Sequence, residues 1–137
     1  MQFMPVIAMA FFVFAALCGV TGMAWGMAMG VAENHSTFSA HAHLNLLGWV
    51  SCSLMGAFYA LAQERAPAKL VWVNLWLSTF GPVVMIPSLA AKLSGFDAVW
   101  VQPGIIVGSL SAFLGMAAFA ASVIAVALRA MRLAVRA

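Results

Sequence analysis

The chain has 137 residues, of which 66% are apolar and only 7% charged, and its mean hydropathy is +1.08. Such a composition excludes a water-soluble enzyme or a nucleic-acid-binding module and implies an integral membrane protein whose first partner is the lipid bilayer. The net charge of +3 then bears on orientation in the membrane rather than on binding to nucleic acid.

Backbone amides in lipid must pair within their own segment, so the apolar runs are expected as helices, each needing ~20 residues to cross the hydrocarbon. The first predicted span covers 5–29. Its N-terminal stretch MQFMPVIAMAFFVFAALCGV has no cationic leader, and its apolar run is too long for a signal-peptide core, so it reads as a retained span. Gly19, Gly22, Gly26 and Gly30 recur in it at helical spacing, and Gly22 with Gly26 forms a GxxxG pair that lets another backbone approach closely. The connection VAENHSTFSA follows, carrying His35. The second predicted span, 41–62, opens on His41 and His43 and leads through QERAPAK to the third, 70–91. There Pro82 and Pro87 are expected to bend or loosen the helix and free carbonyls that need a partner. KLSGFDAVW leads to the fourth span, 101–128. Three connections this short force neighbouring helices to run antiparallel, giving an all-α, up-down-up-down four-helix membrane bundle as a single domain. Cys18 and Cys52 fall inside apolar runs and read as small packing residues.

Lys and Arg are distributed unevenly. Arg65, Lys69, Arg129, Arg132 and Arg136 share one side of the predicted bundle, and only Lys92, near Asp97, lies on the other. The excess assigns the first side to the cytoplasm, with both termini, and places His35, His41 and His43 outside. Trp25, Trp49, Trp72 and Trp100 fall near span ends, where indole rings anchor helices at the interface.

The histidine pair carries the chemistry. Two residues apart on an α-helix are turned by roughly 200°, so His41 and His43 serve different neighbourhoods. Below His41 lie Asn45, Gly48, Cys52, Met55, Gly56 and Tyr59, a strip of small and weakly polar residues. Below His43 lie Leu46, Leu47, Val50, Leu54, Ala57 and Leu61, an aliphatic wall. An ionisable group in or beside the membrane is costly and usually has a functional return. Neutral imidazole suits iron, copper or zinc, and a flat apolar wall beneath it suits a porphyrin.

The stretch HAHLNLLGWV resembles the tenth helix of subunit I in the heme-copper oxidases and nitric oxide reductases, where a His-x-His pair sits near the outer surface. The resemblance implies that the first histidine, here His41, ligates a high-spin heme iron and the second, here His43, a low-spin heme iron. From His43 onward, HLNLLGWVSCSLMGAFY is also similar to the second helix of nitric oxide reductases, whose histidine is the other axial ligand of the low-spin heme. Both alignments therefore assign His43 to heme b, and they carry Asn45 and Trp49, inside the shared motif, into the cofactor pocket. In that family the second and tenth helices occupy equivalent places in two of three four-helix arcs. A chain resembling both would be one arc, and three copies would rebuild the twelve-helix ring as a homotrimer in a bacterial inner membrane. The family's copper-site histidines, its histidine-tyrosine spacing and its mid-membrane proton-conducting acids and lysines are not reproduced here. The resemblance thus implies electron transfer with a redox partner, or binding of a small gas, rather than a complete oxidase or reductase.

Two other readings stay open at this level. Met23, Met27 and Met29 end the first span on the same side as His35, His41 and His43, and thioether with imidazole is a ligand mix for copper. A purely structural accessory or assembly subunit, packing through the glycines of the first span, would need no metal.

Overall fold

The computed structural model describes residues 3–136. Four helical passes run along the chain, and no strand occurs among the described residues. Helix α1 covers Phe3–Ala32. The second pass is composite: α2 (Phe38–His43), a π-helical segment Leu44–Ser51, and α3 (Cys52–Ala62), followed by a 3₁₀ turn at Gln63–Arg65. Helix α4 covers Ala68–Leu93 and α5 covers Val101–Arg136. All four passes are long and apolar enough to cross a membrane. Each predicted span falls within one of these passes; α5 begins at the predicted Val101 and runs eight residues past its predicted end.

The ends of the passes follow local chemistry. Glu33 takes the left-handed conformation (φ 50°) just after α1, and the amide of Asn34 closes back on the Met29 carbonyl at 3.2 Å, which satisfies an orphan carbonyl of the last turn. Asn34 Oδ1 then accepts the Ser36 amide at 3.0 Å and turns the chain toward α2. Helix α4 ends the same way with the residue best suited to it: Gly95 has φ 79°, and the Phe96 amide reaches the Ala91 carbonyl at 2.9 Å.

The bundle is two hairpins. In the first, α1 packs along the whole second pass. Its lower half, toward the arginine-bearing end, holds the larger core, in which Ile7, Phe11, Cys52, Tyr59 and Val71 are almost fully buried. In the second hairpin α4 and α5 touch backbone to backbone. A Cβ on Gly108 would lie 2.6 Å from the Met85 nitrogen and 2.8 Å from the Gly81 carbonyl oxygen, and one on Gly81 would lie 2.7 Å from the Ala112 nitrogen. Without a hydrophobic drive between helices in lipid, this close approach is what small residues contribute. This second set of packing glycines lies outside the first span, where the GxxxG signal falls, although Gly104, Gly108, Ser111 and Gly115 are spaced for it.

A polar node joins the hairpins. Asn74 is fully buried, and its Nδ2 donates to the Gly115 carbonyl at 2.7 Å and to Ser78 Oγ at 3.0 Å, with Met55 Sδ at 3.5 Å. Tyr59 is also fully buried, stacked on Phe11 and edge-on to Phe119; its hydroxyl lies beside Ser122 but without hydrogen-bond geometry. Helix α4 runs unbroken through both prolines. The Ser78 carbonyl, deprived of its helical donor by Pro82, has the Cys52 thiol 3.9 Å away.

Candidate functional site: the histidine-bearing end of the second pass

His41 and His43 belong to the short α2 turn, and the structure separates them as the helical rotation requires. His41 is half-buried against α1, whereas His43 is exposed on the opposite side. The faces continue below them. Gly48, Cys52, Met55, Gly56 and Tyr59 are buried, while Leu46, Leu54 and Leu61 are 61%, 63% and 82% exposed and Val50 is 39% exposed.

The His41 face is a lock between two passes. Gly26, Gly22 and Gly19 of α1 form a groove, and His41, Asn45 and Trp49 lie along it in that order. A Cβ on Gly26 would stand 3.1 Å from His41 Cε1, one on Gly22 only 2.4 Å from Asn45 Oδ1, and one on Gly19 3.2 Å from Trp49 Cδ1. The glycine ladder therefore serves an internal contact. Gly30, at the top of the series, has nothing within 4 Å. On the sequence, Trp49 read as an interfacial anchor and a motif residue, not as the third rung of this stack. The π-helical segment accounts for its position. Bonding to the fifth residue back widens each turn, which holds steps of four residues nearly in line. Two side chains reinforce that register: Ser51 Oγ donates to the Leu46 carbonyl at 2.7 Å and Cys52 Sγ to the Leu47 carbonyl at 3.3 Å, both five residues back.

His41 is held from several directions. Asn45 Nδ2 donates to the His41 carbonyl at 3.0 Å and lies 3.3–3.4 Å from both ring nitrogens. Trp25 meets the ring edge-on at a centroid distance of 6.4 Å, and Phe38 is tilted against it at 6.5 Å. Trp25 is fixed in turn, its Nε1 donating to Thr37 Oγ1 at 3.1 Å, and Thr37 reaches Met29 Sδ at 3.6 Å.

His43 has a different surrounding. Its Nδ1 lies 2.7 Å from the Ser39 carbonyl oxygen, one turn back. A carbonyl only accepts, so Nδ1 is the donor, and in the neutral ring the lone pair is then on Nε2. This is the second-sphere arrangement that fixes tautomer and ring direction in metal-ligating histidines. Leu46, Val50 and Leu54 further along the second pass are also exposed, whereas Leu47, four residues on from His43, is half-buried against Leu44, Met85 and Ile86, so the aliphatic wall read from an α-helical rotation is interrupted in the π-helical segment.

The alternative copper residues are distributed differently. Met23 and Met27 are 59% and 67% exposed, four residues apart on α1, and His35 is exposed in the connection after it. Met29 is buried, its sulfur turned to Thr37. No group of three or more His, Cys, Asp or Glu that could hold a metal ion occurs among the described residues.

Cavities flank the second pass. One, about 460 Å³ and almost wholly apolar, opens between α1, the π-helical segment and α4, where Phe14, Cys18, Trp25, Leu44, Pro82 and Pro87 line it. The prolines singled out on the sequence thus border a cavity beside the His41 lock. Another lies at the opposite, arginine-bearing end. Comparison with protein-family models, with curated proteins and with solved structures gives no match to this chain.

Proposed function

We propose that the protein binds heme b through Nε2 of His43 and acts in electron transfer or in binding a small gas, in the manner the likeness of HAHLNLLGWV to heme-copper oxidase subunit I suggests. The observation that carries this reading is His43 itself: its Nδ1 is bonded to the Ser39 carbonyl, and its ring is exposed on a pass that also exposes Leu46, Val50 and Leu54. An axial imidazole with its second nitrogen on a carbonyl, over a flat apolar surface, is what a porphyrin in a membrane protein requires. When bound, the heme supplies one-electron chemistry or a site for a diatomic ligand. The chain itself orients the imidazole and shields one face with Leu46, Val50 and Leu54.

Since His41 and His43 diverge, a second histidine for the same iron would have to be supplied by another copy. Two features favour a ring of copies. Leu46, Val50 and Leu54 of the second pass are exposed, and only 17% of the most apolar part of α5 is buried, so each chain offers two different faces for a head-to-tail interface that closes as a trimer. The cationic end, with Arg65, Lys69, Arg129 and Arg132, is assigned to the cytoplasmic side of a bacterial inner membrane; the side chain of Arg136 lies outside the described residues. His43 then faces outward, toward an external redox partner. His41 is assigned a positioning role in this reading, because its ring is engaged by Asn45, Trp25 and Gly26.

Expression with ample heme, purification in mild detergent, and a pyridine hemochrome spectrum alongside copper analysis test the proposal. A b-type hemochrome near one heme per chain or per interface supports it. Protein without a Soret band overturns it, and stoichiometric copper lost on mutation of Met23 and Met27 would support the metal-handling reading instead.

A further inference from the structure

At the end of the bundle remote from the histidines, the 3₁₀ turn after α3 and the last turns of α5 border an open cavity of about 800 Å³. It owes its existence to the length of α5. At ~1.5 Å per residue, 36 residues make a helix of about 54 Å, well beyond a hydrocarbon core of ~30 Å, so its C-terminal turns stand out of the membrane beside the second connection. Arg129 pins the two together, its Nη1 donating to the Arg65 carbonyl at 2.7 Å. That bond uses one of the five N–H groups of the guanidinium. Arg65, Arg129 and Arg132 converge on the cavity, while Leu61 and Leu133, 82% and 63% exposed, form its apolar walls and Glu64 stands among the lining residues.

We infer that this cavity is a binding site for an anionic phospholipid, whose phosphodiester is held by Arg129 and Arg132 and whose acyl chain leaves along Leu61. Guanidinium forks match phosphate oxygens bidentately. Basic pockets at the ends of membrane helices take anionic headgroups for this reason. Two features favour a lipid over a free phosphate ion. Leu61, four residues before Arg65 and on the membrane side of it, continues the site toward the hydrocarbon, which an inorganic ion would leave empty. Glu64 also disfavours a dianion more than a singly charged phosphodiester, and its carboxylate can accept from a headgroup hydroxyl. The site is independent of the heme proposal, since it lies at the other end of every helix.

The test uses the full chain in nanodiscs of phosphatidylcholine, with and without one quarter phosphatidylglycerol, read by retained lipid in native mass spectrometry and by thermal unfolding. Phosphatidylglycerol is expected to be retained and to raise the unfolding temperature, whereas inorganic phosphate at millimolar concentration does neither. Arg129→Gln and Arg132→Gln should each weaken lipid retention roughly fivefold. Lys69→Gln removes an equal charge at the same end outside the cavity and should change retention little. Equal retention of phosphatidylcholine by the wild type overturns the inference without recourse to any variant. Protection by inorganic phosphate alone would reassign the site to a free anion, and a Lys69→Gln loss as large as the arginine losses would reduce it to diffuse surface charge.

Discussion

Replacing Gly22 with alanine tests the lock that orients the second pass. The added Cβ would meet Asn45 Oδ1 at 2.4 Å and Asn45 Cγ and Nδ2 at 2.8 Å, roughly 1 Å short of ordinary contact. The amide must turn away, which breaks its 3.0 Å bond to the His41 carbonyl. Overpacking of this kind costs about 1–3 kcal/mol, against which alanine gains about 1 kcal/mol of helix propensity. Gly30→Ala is the matched control: nothing stands within 4 Å of its Cβ, so it keeps the propensity gain without the clash. The gap between the two variants therefore isolates the clash, and about 1–3 kcal/mol is expected. Cys18 and Cys52, 7% and 0% exposed, report the transition through a thiol-reactive dye during heating in detergent. Gly22→Ala should melt below Gly30→Ala, and in an Asn45→Ala background the difference should shrink, because the obstructing amide is gone. If the two glycine variants melt together in the wild-type background, His41, Asn45 and Trp49 do not lie in the glycine groove.

Three further outcomes follow from the second hairpin and the site. Gly108→Ala should be among the most damaging single methyl additions, at about 1–3 kcal/mol, because the new atom meets the backbone of Met85 and Gly81 rather than a side chain that can rotate; the same thermal assay reads it. Asn74→Leu should cost only about 1 kcal/mol despite its burial, since polar contacts inside membrane proteins average well under the value expected in a dry core; a loss above 3 kcal/mol would contradict that estimate. Trp25→Phe keeps an aromatic edge near His41 but deletes the donor to Thr37, and a loss of about 1 kcal/mol is expected, with the heme complement unchanged.

How legible this chain was from its residues differs by level. The four passes were readable because a bilayer permits so few alternatives: continuous apolar runs of sufficient length, cut by short polar connections, leave helices as the economical solution. The two-sided character of the histidine pair was readable too, since it depends only on helical rotation, and α2 keeps that rotation. Glycines were harder. Those of α1 announced a close approach but not its partner, which proved to be three side chains of the next pass. Those of α4 and α5 are spread over two segments, so no single window displays the Gly81–Gly108 contact. The π-helical segment had no signal of its own in composition. It is supported by Ser51 and Cys52 reaching carbonyls five residues back, a contact that periodicity analysis at 3.6 residues per turn does not represent. The Arg129 cavity was hidden for another reason: basic residues near a helix end read first as an orientation signal, and only the overhang of α5 beside the second connection turns them into a concave site.

Heme binding, as proposed, depends on His43. Visible spectra of the wild type, His43→Ala, His41→Ala and His35→Ala, each purified after identical heme-replete expression and checked for folding through the buried thiols, decide it. A Soret band abolished in His43→Ala and kept in His35→Ala, with at most a shifted or weakened band in His41→Ala, is the expected pattern. A His43→Ala protein that is folded and retains the wild-type Soret band would contradict the assignment of Nε2 as the heme ligand.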